Sequence, residues 1–135
     1  MNITRRVIAA AVVVIVVAAV AIVFAVMSQT HRNPVATFQV VDETYKIELA
    51  TPELVAHAEA LLAGESVAAI PNGVVVRDDP GPNAPWSWHI DPATLEFADM
   101  TIEVCDGLPS YVEDRTVTSD QYCPWSAKVI AVEPS

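Results

Sequence analysis

The chain has 135 residues, 17 acidic against 7 basic, two cysteines, and a first quarter unlike the rest. From Gln29 to Ser135 it holds all 17 acids and only Arg32, Lys46, Arg77, Arg115 and Lys128, a net charge of −12. That excludes nucleic acid as a partner and polybasic contact with a membrane surface, both of which need clustered Lys and Arg. These 107 residues bury one modest core, too small for an enzyme with its own cofactor domain, and no cofactor is expected.

Val7 to Met27 is a run of 21 residues without a charge or an amide. At about 1.5 Å per residue it spans roughly 30 Å, the hydrocarbon thickness of a bilayer. Arg5 and Arg6 precede it and acids dominate after it, which keeps residues 1–6 in the cytoplasm and puts the C-terminal part outside. The lipid bilayer is thus an expected partner of residues 7–27. The alternative is a cleaved signal peptide, secreting the rest; its apolar region is normally shorter, about 7 to 15 residues, although Val23-Phe24-Ala25 and Val26-Met27-Ser28 are weak small-x-small sites. No cysteine follows the run, which leaves no lipoprotein anchor. Asn2-Ile3-Thr4 matches a glycosylation triplet on the wrong side of the membrane.

Residues 28–35, polar and containing Pro34, read as a stalk, and 36–135 as the exported domain. Thr37 to Val41 and Tyr45 to Leu49 are β-prone and separated by hairpin spacing. Thr51, Pro52 and Glu53 provide an N-cap, a proline at the first helical position and a first-turn acid, so a helix is expected from Pro52 to Ala63, stopped by Gly64. Gly73 to Arg77 reads as a buried strand and Asp78 to Pro85 as a stiff loop. Trp86, Trp88 and Ile90 alternate with Ser87 and His89 as a strand does. Asp91-Pro92 opens a turn, Leu95 to Phe97 and Met100 to Cys105 read as further strand, Asp106-Gly107 as a turn, and Ala127 to Val132 as a closing strand. The expected fold is α+β: an antiparallel sheet of five or six strands carrying one amphipathic helix, with Trp86, Trp88, Phe97, Ile102 and Leu61 in the core.

Cys105 and Cys123 are expected to form a disulfide, since an exported compartment is oxidising. The competing reading, a thiolate pair holding a metal with His89, lacks CxxC spacing and a fourth ligand, so no metal site is assigned. Ser87, His89 and Asp91 share one strand face, but same-face neighbours stand about 6.5 to 7 Å apart, too far for nucleophile and base. His89 is instead expected to bond a neighbouring loop and Asp91 to cap the Pro92 turn. Asp78, Asp79, Asp91, Asp99 and Asp106 lack the D-x-D-x-D-G spacing of a calcium loop and read as a solvated face. His57 lies at the edge of the helix's apolar stripe. Glu103, Asp106 and Glu113 flank Cys105, with Arg115 available to pair with one of them. Among the aromatics Trp86, Trp88, Tyr111, Tyr122 and Trp125, Trp88 belongs in the core, while Trp86 and Trp125, beside prolines, suit a partly exposed patch.

Three stretches carry a resemblance: Pro85-Trp86-Ser87-Trp88-His89-Ile90-Asp91-Pro92, the run from Ile102 to Glu113 with its Cys105-Asp106-Gly107-Leu108-Pro109, and Tyr122-Cys123-Pro124-Trp125-Ser126-Ala127. Together they resemble the BP-seventy-four N-terminal domain family over Ala36 to Glu133; Leu61 to Gly64 and Pro71-Asn72-Gly73 are also similar to it. The resemblance implies a compact α+β or β-rich module with its two cysteines bridged, recurring in short exported bacterial proteins, and supplies no activity. An uncleaved anchor would depart from the secreted members.

The expected function is a non-enzymatic binding module outside the membrane. It would recognise an extracellular protein or ligand through candidate residues Trp86, His89, Trp125 and Asp106, with the Asp78–Pro85 loop or the Cys-closed Asp106–Tyr122 loop held rigid for insertion. An inhibitor of an extracellular protease is one form. The alternatives are a small hydrolase using His89 with Asp91 or Asp106, and a calcium-dependent structural domain.

Overall fold

The structure is a computed structural model that describes residues 2–27 and 32–135. It divides into two units, one built on the apolar helix and the other running from Asn33 to Ser135. Helix α1, Asn2–Met27, includes the stretch Ile3–Ile22, all of it exposed, with a mean hydropathy of 2.5. By length and composition α1 can serve as a membrane anchor or as a signal sequence. Residues 28–31, the first half of the expected stalk, lie outside the described residues.

The domain is α+β, as expected, but its strands divide between two antiparallel sheets instead of forming one. In the first, β1 (Val35–Val40) lies between β2 (Glu43–Glu48) and β7 (Lys128–Glu133). The hairpin β1–β2 turns through Val41 and Asp42 alone, tighter than the three-residue turn expected, and this forces Val41 to a φ of 58°. A β-branched residue in that left-handed region is strained, and Val41 is 68% exposed, so no packing compensates it. Replacing it by the residue such turns prefer, Val41→Gly, should raise the stability of the purified protein by about 1 kcal/mol once the greater freedom of glycine in the unfolded chain is subtracted. Urea melts test this; a loss of stability would contradict it.

The second sheet centres on β3 (Ile70–Arg77), which pairs with β5 (Glu96–Ala98) through Ile70–Asn72, with β6 (Gln121–Tyr122) through Gly73–Val74 and with β4 (Trp88–Ile90) through Val75–Arg77. The Asp91-Pro92 turn separates β4 from β5, and there the Thr94 hydroxyl accepts from Val74 N–H at 2.9 Å, standing in for a ladder acceptor. Helix α2, Pro52–Leu62, begins and ends as the sequence predicts: the Thr51 hydroxyl accepts from Leu54 N–H at 3.2 Å, Pro52 occupies the first turn, and Gly64 follows at φ 80°. It meets the core through Leu54, Val55 and Ala58, while Leu61, expected in the core, continues the same stripe in the last turn of the helix and is only half-buried there.

A short helix, α3 (Pro109–Glu113), was not expected. Its ends are held from the two sheets: Glu43 accepts from Ser110 N–H at 2.8 Å, and Arg77 donates to the carbonyls of Val112 and Val117 at 2.7 and 3.0 Å. A carboxylate at the first turn and a guanidinium at the last are the charges a helix end favours. Arg115 pairs loosely with Asp78 at 3.9 Å, not with the acids around Cys105.

The core between the sheets is aromatic. Tyr45 stacks on Phe38 at 5.4 Å between centroids and lies 5.8 Å from Trp88, and Tyr122 meets Tyr45 and Trp88 edge-on at 5.3 and 5.5 Å. Trp86 and Phe97 pack against this core half-buried. The segment Met100–Cys105, expected as a strand with Ile102 inside, is extended only to Ile102 and then makes a single 3₁₀ turn, Glu103–Cys105; Ile102 is 64% exposed. It has no partner strand in either sheet, so alternation alone could not bury it.

Candidate functional site

Cys105 and Cys123 are bridged, with Cα atoms 5.0 Å apart, as expected, which leaves no thiolate pair for a metal. Cys123 N–H donates to the Cys105 carbonyl at 2.7 Å, and both sulfurs lie 3.2 to 3.4 Å from the Ile102 carbonyl oxygen; being bridged, they make close contacts there and donate no proton. The bridge closes a loop with a sequence separation of 18. Replacing both cysteines by alanine should therefore cost about 3 kcal/mol. Denaturant melts of the double variant give the value, and alkylation without reductant should modify no thiol. Two reactive thiols in the native protein would refute the pairing.

Beside the bridge, two hydrogen bonds hold Trp125. Its main-chain N–H donates to Asp106 Oδ1 at 2.8 Å and its indole Nε1–H to Thr101 Oγ1 at 2.7 Å. The ring remains 48% exposed. On the same edge, Tyr122 donates its hydroxyl to the Gly107 carbonyl at 2.8 Å, so Asp106-Gly107 is fixed from two sides. Asp106 thus acts as a positioning acceptor in this geometry.

Trp86 and His89 are held by other loops. Trp86 Nε1–H donates to the Thr44 carbonyl at 2.8 Å, pinning its half-buried ring to the first hairpin. His89 Nδ1 lies 2.7 Å from the Asp79 carbonyl; a carbonyl only accepts, so Nδ1 carries the proton. The ring packs on Gly81, where an added Cβ would stand 3.1 Å from it. His89 therefore bonds a neighbouring loop, as expected, and the partner is the proline-rich loop, not the Asp91-Pro92 turn. Asp91 does cap that turn, accepting from Ala93 N–H at 3.0 Å. Neither Asp91 nor Asp106 is hydrogen-bonded to His89, and the Ser87 main-chain N–H donates to Glu113 Oε2 at 3.0 Å. His57 bonds the Ala68 carbonyl at 2.7 Å and stacks on Phe97 at 4.3 Å.

From this geometry His89→Ala should leave a folded protein weakened by about 1 to 3 kcal/mol, the cost of an unpaired Asp79 carbonyl and an unfilled space over Gly81. A thermal melt measures it. A variant as stable as the parent would show that His89 holds nothing in place.

Sequence reasoning missed Asn83, 1% exposed in the 3₁₀ turn Gly81–Asn83. Its Oδ1 accepts from Lys46 N–H at 2.7 Å and its Nδ2 donates to the Trp88 carbonyl at 2.8 Å, tying the proline-rich loop to β2 and β4. The signal was there: an Asn between prolines in a loop expected to be stiff. Among the described residues no group of three or more His, Cys, Asp or Glu side chains could hold a metal ion, so Asp78, Asp79, Asp91, Asp99 and Asp106 are not gathered. A groove of about 360 Å³ runs between Asn33-Pro34, the end of β2 and the start of α2, and one of about 240 Å³ lies among Gln39, Val41, Ser126 and Lys128. Neither is lined by a sequence-predicted site residue.

The described domain is therefore a disulfide-bonded α+β module whose exposed tryptophan is set by side-chain hydrogen bonds. A family model described as the BP-seventy-four N-terminal domain matches residues 32–135, and the chain belongs to that family. No curated protein and no solved structure matches the chain.

Proposed function

We propose that this protein is a non-enzymatic binding module, tethered by α1 and displayed outside the membrane. Trp125 carries the reading: a large ring with a fixed main chain and a bonded indole N–H offers contact area at little ordering cost, the quality that makes tryptophan an interface anchor. Rigid support from the disulfide and from Asp106 favours recognition of an extracellular protein, an inhibited protease being one form. The tether is supported by the 21-residue uncharged run and the Arg5/Arg6 pair before it. His89 and Asp106 support the surface by holding backbone, not by acid–base chemistry.

The test places a photo-crosslinking residue at Trp125 of the full chain, expressed in its native cells. A discrete protein adduct is expected with the membrane fraction, the mature N-terminus beginning at Met1 or Asn2. Absence of any adduct would remove Trp125 as the anchor of the binding reading, and a soluble product beginning near Val26 or Gln29 would defeat the tether.

A further inference from the structure

The segment from Asp99 to Val104 presents three large apolar side chains to solvent: Met100 at 86% exposure, Ile102 at 64% and Val104 at 66%. Four residues of chain cannot extend beyond about 14 Å, so the three form one ridge. The Trp125 indole, bonded to Thr101, adjoins it. The segment is anchored at a side chain, a carbonyl and its end: the Thr101 hydroxyl accepts from that indole, the Ile102 carbonyl lies against the bridged sulfurs, and Cys105 is held by the disulfide. Large apolar side chains left mostly in water, on a segment anchored through Thr101 and Cys105, contribute little to folding and mark a surface that meets a partner.

We propose that this ridge docks into an apolar pocket, rimmed by Lys and Arg, on a protein partner. The proposal rests on the binding-module reading and names the element that inserts and the chemistry that receives it. Charge selects the occupant. Asp99 and Glu103, both exposed, interleave with Met100, Ile102 and Val104, and neither forms an ion pair with another described residue. The segment from Gln29 onward carries −12. An anionic lipid surface repels such a ridge, and burying its carboxylates in a bilayer is costly. A second copy of the chain would set acid against acid. A basic-rimmed pocket satisfies both parts of the pattern: it removes the apolar side chains from water while its cations meet Asp99 and Glu103 at the edge.

The experiment uses the full chain in whole cultures of its native cells, with p-benzoylphenylalanine placed at Ile102, at Trp125, and at exposed Leu62 on α2 as a control. The expected result is a discrete protein adduct from Ile102 and none from Leu62. Mass spectrometry of the joined peptides should place the contact at apolar residues flanked by Lys or Arg. Raising the ionic strength from about 0.05 M to about 0.5 M, or introducing Asp99→Asn with Glu103→Gln, should lower the yield about tenfold. These substitutions are on the surface, and an unchanged circular-dichroism spectrum and melt confirm that the variant remains folded. An adduct to lipid, an adduct to a second copy, or one insensitive to both salt and the acid substitutions would overturn the proposal. So would no adduct from Ile102. An adduct from Trp125 alone would reject the ridge while leaving the binding module standing, whereas none from either site would reject both.

Discussion

Trp88→Ala should yield no folded domain. Trp88 is 1% exposed, and its ring lies 5.8 Å from Tyr45 and 5.5 Å from Tyr122, so it joins β2 of one sheet to β6 of the other. Truncating a buried tryptophan costs about 3 to 5 kcal/mol, and each lost aromatic pair adds about 0.5 to 1.5 kcal/mol. A domain of this size holds about 5 to 10 kcal/mol in all, so the variant keeps little or none. Trp88→Phe should be milder, because it retains a ring between the tyrosines and removes an indole N–H that is buried without a partner among the described residues. Circular dichroism and urea melts of both variants decide the matter. A well-folded Trp88→Ala protein would show that the sheets hold together without this ring.

Elements governed by local rules were legible in the sequence. Helix α2 announces itself through Thr51, Pro52 and Gly64, each acting within one turn of its own position. The disulfide followed from compartment and count. What failed depended on distant partners. Met100 to Cys105 has the alternation of a strand, but alternation marks two faces without saying whether another strand covers one, and here none does. Leu61 lies on the apolar stripe of α2, yet the stripe meets the core only through Leu54, Val55 and Ala58. The division into two sheets has no local signature either, since β3 takes three partners along its eight residues and a different strand claims each part. At the candidate site, Trp125 was legible as an aromatic beside a proline. Its setting by Thr101 and Asp106 was not, because both bonds join residues about 20 positions apart.

Stability should fall steeply above pH 10. Burial raises the Tyr45 hydroxyl well above its ordinary value of 10.0; burial raises Tyr122 too, reinforced by the charge a neighbouring Tyr45 would carry if it ionised and by the carboxylates of Asp106 and Glu43. Unfolding returns both to water, where they ionise near pH 10. Below that pH the native and unfolded states bind the same tyrosine protons, so this contribution is complete and flat. Above it the unfolded chain has lost two protons that the native state keeps, so the slope of unfolding free energy against pH is negative. One proton corresponds to about 1.36 kcal/mol per pH unit, so two give about 2.7 kcal/mol per unit. A domain with about 5 kcal/mol to spare would then unfold near pH 12. Urea melts at closely spaced pH values measure the slope, and in a Tyr111→Phe background, which leaves only the two buried tyrosines, the ultraviolet absorbance of ionised tyrosine should rise together with loss of secondary structure, not before it. Tyr45→Phe should halve the slope, because its hydroxyl has no partner among the described residues and its removal takes away one of the two protons. Tyr122→Phe should halve it as well, but from a lower starting stability, since its bond to the Gly107 carbonyl is lost. A slope near zero between pH 10 and 12, or one that neither substitution changes, would show that these hydroxyls ionise while the protein is still folded.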